Sequence, residues 1–547
     1  MSRRTRLIVA ASSVGLAFAC GGDDGARDVA SDADLETTSD VDDTSDATTE
    51  AEAGSDAVVI PPPCTPAHPP EGIVVVEDGR YRRISGVPTP DGLPARDVTV
   101  YLPATYDAEA GARFPVLYMH DGQNLFDPEA SAFGEWGVDE VLDGLVDAGL
   151  APATIVVGVH NTGERIADYT PTPMDPHGGG NAAAYADWLV GTLKPIVDQR
   201  FRTRCEREHT TIAGSSLGGL VTLFIGMRHP DHVARLGVVS PSLWWDEGKL
   251  LDEWEAWEGP LPDRLWVDMG TGEEPTEAPD DLPYGVDEVR RVVERALARG
   301  MVYGRDVALL EDLGAIHNEG AWRARLPAIL GFLLSEHADG GFAAFGAERA
   351  LQIRLERGAL YLDVRPGLPV IVEVTAGARP RLGRMSLPPS LAPLAASGAA
   401  AALDADALIL EGLAAGDVTL SALWVGQGLT AERVVSVYGA GLVPVGFDVK
   451  RPTGTPADAV VHVVGDAPGL GAGDPGAVPL ARNGDRWIGE RPLATDQGFT
   501  YNYTLGSEAT WEADELGLRR APRTHGPPDP TGATVVIDRI EGWLGLE

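Results

Sequence analysis

The strongest constraint on the fold is a change of pattern near residue 336. Between about residues 72 and 336, short β-branched runs alternate with amphipathic stretches that have helical spacing. This alternation predicts an α/β fold built on a doubly wound, mostly parallel sheet with helices on both faces. Beyond residue 336 the helical spacing stops, and short alternating runs between Gly- and Pro-rich turns predict all-β structure. Since the chain has 547 residues, we expect several domains.

The elements predicted for the first region are short and follow one another closely. The predicted strands cover residues 98–101, 115–119, 153–159, 210–213, 236–239, 265–269 and 307–311. The predicted helices cover residues 139–148, 182–197, 217–227, 287–299 and 322–335. In open α/β sheets, functional residues concentrate in the loops after the strands, so polar residues there are candidates for a site.

One predicted strand, residues 210–213, leads directly through the pentapeptide GSSLG into an apolar helix. A nucleophilic serine on a sharp strand-to-helix turn needs glycine two residues before and two residues after it, because side chains there would clash inside the turn. Ser216 has both glycines. The pattern therefore predicts Ser216 as a nucleophile.

Two further strand ends supply an acid and a base. The strand at 265–269 is followed by an acidic loop, in which we choose Glu273 as the group that orients an imidazole, with Glu274 and Asp268 as alternatives. His317 follows the strand at 307–311 and precedes the last helix, where a general base is expected. The order serine, acid, histidine along the chain is that of the α/β-hydrolases, which favours a triad of these residues.

An oxyanion hole completes such a site. One donor is expected from the backbone N–H of Leu217, directly after the nucleophile, and the other from the loop after the strand at 115–119. In that loop Gly122 lets the backbone turn inward, so the N–H of Gln123 is the candidate. We interpret the neighbouring His120 and Asp121 as residues that hold the shape of the loop.

Six segments in this order resemble one known family. They read VLYMHDGQNLFD, FGEWGVDEVLD, NTGERIADYTP, GSSLGG, SPSLWW and HNEGAWRARLPAILGFL. They resemble the esterase D, or "putative esterase", branch of the α/β-hydrolases, which includes siderophore, feruloyl and acetylxylan esterases and mycolyltransferases. The resemblance implies an esterase domain over residues 72–338 and an acyl-serine mechanism. It assigns the nucleophile to Ser216, the base to His317, the acid to Glu273, where many relatives have Asp, and the oxyanion donors to Gln123 and Leu217.

Several large side chains near the strand ends are candidates for substrate contacts. They are Trp136, Arg165, Tyr169, Trp244, Trp245 and Trp322. Packing in the core is an equally open reading for each of them, because large aromatic side chains mostly fill cores.

The all-β part divides into two predicted sandwiches. Residues 349–440 are predicted as an immunoglobulin-like sandwich, and residues 441–547 as a second one. The second resembles starch-binding modules, which implies that Trp487 and Trp511 stack on sugar rings. A spacer with an aromatic core is the open alternative. If the units are separate, a chain ending near residue 336 should remain an active hydrolase.

The first 71 residues predict export. Three arginines precede an apolar run and small residues before Cys20, which resembles a lipoprotein signal over residues 1–20 with lipidation of Cys20. A plain cleaved signal is the alternative. Residues 21–60 contain thirteen acidic residues and one Arg, so we predict a disordered acidic and Pro-rich tether over residues 21–71. The predicted location is the cell envelope, or the medium if Cys20 carries no lipid.

The remaining cysteines, Cys64 and Cys205, can close one disulfide in an exported protein, with two unpaired thiols as the alternative. The net charge is −39, and no basic block lies beyond the first six residues, so we expect no nucleic-acid partner. We also expect no metal and no cofactor, and membrane contact only through Cys20. The predicted function is an exported serine carboxylic ester hydrolase acting on acylated carbohydrate or siderophore esters. An acyltransferase of the same fold and a non-catalytic carbohydrate-binding surface lipoprotein are the alternatives.

Overall fold

The structure is a computed structural model. It describes residues 64, 72–131, 133–273, 285–337, 339–355, 359–362, 367–377, 379, 382–405, 408–450, 452, 455–456, 458–483, 485–513, 518–530, 534–540 and 542–544. The predicted signal with Cys20, the tether apart from Cys64, and the alternative acid Glu274 lie outside the described residues. Among the described helices, none has the length and apolar character needed to cross a bilayer.

Among the described residues between 74 and 312 there are eleven strands. They are β1 Val74–Asp78, β2 Tyr81–Ser85, β3 Val98–Tyr101, β4 Val116–His120, β5 Ile155–Val159, β6 Pro173–Met174, β7 Gly178–Gly179, β8 Thr210–Ser215, β9 Arg235–Val239, β10 Arg264–Gly270 and β11 Val307–Asp312. All except the small β6–β7 ladder form one nine-stranded sheet in the order β1-β2-β3-β5-β4-β8-β9-β10-β11.

The direction of the strands divides this sheet in two. From β5 to β11 every neighbouring pair is parallel, as the sequence predicted. The remaining pairs, β1 with β2, β2 with β3 and β3 with β5, are antiparallel. The hairpin of β1 and β2 was not predicted, because its side chains are mostly exposed and carry little of the apolar pattern used to recognise strands.

In the described part of the chain, eight α-helices accompany the sheet. They are α1 Val138–Asp147, α2 Arg165–Tyr169, α3 Ala182–Trp188, α4 Lys194–Arg200, α5 Leu217–Arg228, α6 Lys249–Ala256, α7 Val286–Ala298 and α8 Glu319–Leu334. The helix predicted over residues 182–197 is divided into α3 and α4 by a π-helical segment, Leu189–Leu193. The short helices α2 and α6 were not predicted.

The sheet has an apolar cluster on each face. Along β4, Val116 and Tyr118 belong to one cluster, and the intervening Leu117 and Met119 belong to the other. Side chains of α5 and α7 join the first cluster, whereas those of α1 and α8 join the second. Because helices cover both faces, the carboxyl ends of the parallel strands are the open edge on which a site can form.

Strands β12 to β20 form the first all-β region. They are β12 Arg349–Leu355, β13 Ala359–Tyr361, β14 Gly367–Ala376, β15 Arg384–Ser386, β16 Leu394–Ser397, β17 Ala401–Asp404, β18 Ile409–Gly412, β19 Gly416–Trp424 and β20 Leu429–Tyr438. One sheet has the order β12-β14-β18-β17, with β15 paired to β14, and the other has the order β13-β20-β19-β16.

Strands β21 to β29 form the last all-β region. They are β21 Leu442–Lys450, β22 His462–Gly465, β23 Ala481–Asn483, β24 Arg486–Ala494, β25 Phe499–Thr504, β26 Glu512–Ala513, β27 Arg523–His525, β28 Thr534–Arg539 and β29 Gly542–Trp543. They form sheets with the orders β23-β24-β21-β28, β22-β25-β27 and β26-β29.

One of the two predicted boundaries between the folded domains is crossed by an apolar core, and the other separates two cores. The cluster that contains Ile329 of α8 continues through Phe342 and Phe345 to Met385 and Val437 of the first all-β region. The last all-β region has its own cluster between residues 445 and 543. The predicted boundary near residue 338 is therefore crossed by one continuous core.

A disulfide joins Cys64 to Cys205, with the two Cα atoms 5.1 Å apart. Cys205 lies in the loop between α4 and β8, and its carbonyl accepts a hydrogen bond from Lys194 at 2.8 Å. The two cysteines are 141 positions apart in the sequence, so the bridge ties Cys64 to the α/β region.

Candidate active site

Ser216 stands on a strained turn between β8 and α5. Its φ of 60° and ψ of −125° lie outside the regions that a serine normally adopts. A Cβ atom at Gly214 would lie 2.9 Å from the backbone of Gly218 and 2.8 Å from the ring of His120. These close approaches require glycine at position 214, whereas a Cβ atom at Gly218 would lie 3.3 Å from the Cβ of His120, a tight but less severe contact.

Neighbouring loops hold the turn in place. The N–H of Ser216 donates to the carbonyl of Val239 at 3.1 Å, and its carbonyl accepts from the N–H of Ser242 at 3.1 Å. The Oγ atoms of Ser216 and Ser242 are 3.3 Å apart. The end of β9 therefore supports the serine from one side.

Glu273 and His317 form a hydrogen-bonded pair at the next strand ends. His317 Nδ1 lies 2.7 Å from Glu273 Oε2. The carboxylate is 2% exposed and the imidazole 38% exposed, so the pair has a buried acid and an accessible base. The imidazole also contacts the ring of Trp322 edge-on, with 5.0 Å between the ring centroids.

The second carboxylate oxygen of Glu273 lies in a buried network that the sequence did not predict. Glu273 Oε1 accepts from Ser240 Oγ at 2.6 Å and from the Gly270 N–H at 2.8 Å. Ser240 Oγ in turn accepts from Arg325 at 2.6 Å and from the Trp322 indole at 3.0 Å. Ser240, the Gly270 N–H and Arg325, which lies 3.3 Å from Oε1, therefore hold this oxygen directly, and Trp322 acts through Ser240.

Opposing effects act on the pKa of Glu273. Burial alone would raise it, but hydrogen bonds from His317 and Ser240 outweigh burial and hold the pKa below its usual value. The positive charge of Arg325 acts in the same direction. Glu273 is therefore an anion at neutral pH, as an orienting acid must be.

Asp268 was one of the two alternatives for the acid, and it lies within the described residues. Its contacts indicate a different role. It lies inside β10 with no exposed surface, 3.0 Å from Arg325 and 2.8 Å from the Trp266 indole. Burial raises its pKa, with Arg325 opposing the shift. Asp268 therefore forms an ion pair with Arg325, whereas Glu273 contacts the imidazole.

The two predicted oxyanion donors occupy suitable elements. Leu217 is the first residue of α5, and the first N–H groups of a helix have no partner within it. Gln123 lies in the 3₁₀ turn Gly122–Asn124 after β4. A Cβ atom at Gly122 would come within 2.3 Å of the Gly158 backbone, so glycine is required for this turn to pack against β5.

His120 and Asp121 are held by neighbours. His120 Nδ1 lies 2.9 Å from the Tyr185 hydroxyl, and burial lowers its pKa to about 3, so the ring is neutral. Both carboxylate oxygens of Asp121 accept from Arg165 at 2.8 Å, and Asn161 donates to one of them at 2.6 Å. These contacts support the prediction that the pair shapes the loop.

The residues around Ser216 enclose a cavity of about 400 Å³. Trp136, Trp322 and Arg165, which were predicted as substrate contacts, line it together with His317 and Gln123. Phe133, 71% exposed at the cavity, and Glu319 also line it and were not predicted. An isolated aromatic residue in a Gly-rich loop carries no sequence signal of its own.

Other predicted contacts lie elsewhere. Tyr169 is fully buried and its hydroxyl accepts from the Asp121 N–H at 3.3 Å, so it supports the loop from behind rather than touching substrate. Trp244 and Trp245 pack against each other, with 5.9 Å between their ring centroids. Both lie outside the set of described residues that line the cavity.

Trp487 and Trp511 are core residues, so their predicted role as platforms for sugar rings is wrong. Trp487 is 1% exposed within the apolar cluster of the last region. Trp511 is 7% exposed, with the Arg519 guanidinium 3.8 Å from its ring centroid. A stacking platform must present a ring face to solvent, and these rings are covered.

Among the described residues, the grouping that has the spacing of metal ligands consists of Cys64, Cys205 and Glu206. Both cysteines are consumed by the disulfide, which leaves a single carboxylate. This grouping therefore offers no metal site.

Comparison with known proteins places the site in a family context. Residues 94–333 match the family model described as "Esterase: Putative esterase". The uncharacterized protein YbbA of Bacillus subtilis is 23% identical over 229 residues, which are 41% of this chain and 86% of that protein. The ferri-bacillibactin esterase BesA of Bacillus subtilis is 28% identical over 166 residues, 27% of this chain and 54% of BesA. A solved structure, the BES protein from Bacillus cereus, has 18% identity and a TM-score of 0.38, covering 48% of this chain and 97% of that one.

Proposed function

Because residues 94–333 match the family model "Putative esterase", we propose that this protein is a serine carboxylesterase that forms an acyl-enzyme at Ser216. One observation carries the proposal. Ser216, on its strained turn, lines the same cavity as His317, whose Nδ1 is held by Glu273 at 2.7 Å. A nucleophile, a base and an orienting acid are thereby brought to one edge of the sheet.

In the acylation step, Ser216 Oγ forms a bond to the ester carbonyl carbon, and its proton moves to His317 Nε2. The Nδ1–H of His317 stays on the imidazole and donates to the Glu273 carboxylate, whose negative charge stabilises the imidazolium. The N–H groups of Leu217 and Gln123 donate to the negative oxygen of the tetrahedral intermediate. The intermediate then expels the alcohol, which leaves with the proton from Nε2.

In the deacylation step, water attacks the acyl carbon and transfers a proton to His317 Nε2. The bond between the acyl carbon and Ser216 Oγ breaks, the carboxylic acid is released, and the serine regains its proton. No cofactor is needed, because the acid, the base and both donors belong to the chain.

The cavity favours an ester that carries an aromatic ring. Phe133, which is 71% exposed, supplies a flat apolar surface on its wall, and the largely buried Trp136 and Trp322 complete the aromatic lining. The charge of Arg165 is already balanced by Asp121, so the cavity does not require an anionic substrate. The name of the relative BesA points to siderophore esters, and acylated carbohydrate is the second class to be tested.

We place the enzyme in the cell envelope, anchored by lipid at Cys20. The signal-like sequence over residues 1–20 and the Cys64–Cys205 disulfide, which suits an oxidising compartment, support export. Cell fractionation of the full chain and of Cys20→Ser tests the anchor. Retention of Cys20→Ser in the membrane fraction would contradict it.

The test of the reaction is turnover of aromatic, acetyl and siderophore-type esters by wild type and Ser216→Ala, with Ser215→Ala as the neighbouring control. We expect Ser216→Ala to lose at least about 10³-fold in kcat and to resist labelling by a fluorophosphonate. Ser215→Ala should still be labelled. Full turnover by Ser216→Ala would overturn the mechanism, and product analysis with an added acceptor alcohol separates hydrolysis from acyl transfer.

A further inference from the structure

The loops that follow β10 and β11 are hydrogen-bonded to each other before they reach the cavity. The Thr271 N–H donates to the Asp312 carbonyl at 3.0 Å, and the Gly272 N–H donates to the Ala315 carbonyl at 2.9 Å. The Gly314 N–H donates to Thr271 Oγ1 at 2.9 Å. The loop of the proposed acid and the loop of the proposed base therefore share one set of bonds.

These loops also approach each other closely. A Cβ atom at Gly270 would lie 2.3 Å from the Ala315 carbonyl oxygen, and one at Gly272 would lie 3.1 Å from the Gly314 carbonyl oxygen. The turn begins at Asp312, whose carbonyl also accepts from the Ala315 N–H at 3.1 Å. Any displacement of Asp312 is thus transmitted to both loops.

The first all-β region contacts β11, the strand that ends at this turn. β11 is the edge of the nine-stranded sheet, and β15 of the all-β region lies beside it. Ser386 Oγ accepts from the buried Glu311 N–H at 2.8 Å, and the Tyr303 hydroxyl donates to the Ser386 carbonyl. Arg384 Nη2 lies 3.2 Å from Asp312 Oδ1.

Arg384 is itself held in place. Its Nε and Nη2 atoms lie 3.0 and 2.9 Å from Glu373 Oε2. Glu373 is 3% exposed and is also paired with Arg354 at 3.0 Å. The guanidinium therefore bridges a buried carboxylate of the all-β region and the carboxylate at the start of the His317 loop.

We propose that Arg384 is a positioning residue for the proposed triad, acting through Asp312 on the paired loops that carry Glu273 and His317. The first all-β region is then a part of the catalytic unit. This inference rests on the proposed function for its kinetic consequence, but its structural consequence is independent of it. His317 is partly exposed, and a small displacement of a base costs rate without weakening substrate binding.

The test compares Arg384→Met with Arg354→Met. Both substitutions remove one partner of Glu373, but Arg354 has no bond to Asp312 among its described contacts, so it controls for loss of stability. On a soluble nitrophenyl ester, we expect Arg384→Met to lower kcat about tenfold or more, with KM within about twofold. Arg354→Met should lower the melting temperature similarly and leave kcat unchanged.

Two further variants separate positioning from folding. Asp312→Asn should reproduce the loss of Arg384→Met, and the double variant should lose no more than either single variant, because both break one contact. Arg384→Lys should restore part of kcat, since a lysine reaches one of the two carboxylates. Additive losses in the double variant would overturn the proposal.

Hydrogen exchange provides a readout that does not depend on turnover. In Arg384→Met, the amides of residues 312–317 and of 271–272 should exchange faster than in wild type, while Arg354→Met should retain protection. Unchanged exchange in Arg384→Met, or equal losses of kcat in both variants, would overturn the inference. If wild type cleaved no ester, the proposed function would fail, and the exchange data would still decide whether Arg384 holds the loops.

Discussion

The two all-β regions are attached to the α/β region in different ways. The first shares an apolar cluster with α8 and covers the edge strand β11, with the ring of Trp424 edge-on to Tyr303. The last has a separate apolar cluster, which contains Trp487 and Phe447. An exposed edge strand can pair with another chain and aggregate, so the first all-β region also protects β11 from such pairing. The two regions have similar sequence patterns, and they differ in whether their apolar core is shared with the α/β region.

The largest effect is expected when the chain ends at residue 346, before β12. This truncation exposes Phe342 and Phe345 and uncovers β11, so we expect loss of soluble, folded protein. Soluble yield and the melting temperature measure it. A soluble, active truncated chain would show that the shared core is dispensable and that the α/β region is a separate unit after all.

Trp424→Ala tests the junction with a single side chain. Trp424 is 7% exposed and packs on Tyr303, so its removal should cost about 3–5 kcal/mol of unfolding free energy and lower the stability of the catalytic region. Trp487→Ala is the matched variant, since its ring is 1% exposed in the last region. Thermal inactivation of esterase activity should shift for Trp424→Ala and stay in place for Trp487→Ala.

Acid sensitivity is expected to belong to the α/β region. Burial lowers the pKa of His120 to about 3, while an unfolded histidine titrates near 6.5. Below pH 6.5 the histidine therefore binds a proton in the unfolded chain but not in the folded chain. The free energy of unfolding thus falls as the pH drops towards 3. His120→Gln should show a weaker dependence of the melting temperature on pH between 7 and 4. An unchanged slope would mean that other groups dominate.

The smallest effect is expected when the chain ends at residue 440, after the first all-β region. The last region has its own core, and none of its described residues lines the cavity, so kcat/KM on a soluble nitrophenyl ester should stay within about twofold. A large loss would show that the last region supports the catalytic unit despite its separate cluster.

Local patterns carried most of what could be predicted about the site. β3 has the predicted bounds, and most other predicted elements differ from the structure by one to three residues at an end. The turn around Ser216 was recognisable because its glycines are required within five consecutive residues. The loops of Glu273 and His317 were found from strand ends that the apolar pattern marks.

Contacts made by distant residues were not predictable in this way. Ser240 and Arg325 contact Glu273, and both lie in segments that resemble the family, but the residues of these segments do not indicate a contact with the acid. The β1–β2 hairpin escaped because it is largely exposed. The sequence left both a sugar platform and a core position open for Trp487 and Trp511, because a tryptophan between strand-like runs has the same pattern whether its ring faces solvent or core.

The sequence by itself determined the alternation of strands and helices, the tight turn at Ser216 and the order in which serine, acid and histidine reach one sheet edge. These features depend on backbone geometry and side-chain spacing over a few residues. Only the tertiary structure decided which tryptophans line the cavity and which lie in a core. It also brought Arg384 into an ion pair with Asp312, which lies 72 positions away in the sequence. Burial and ion pairing depend on which distant surfaces meet, and a pattern of neighbours along the chain contains no record of that meeting.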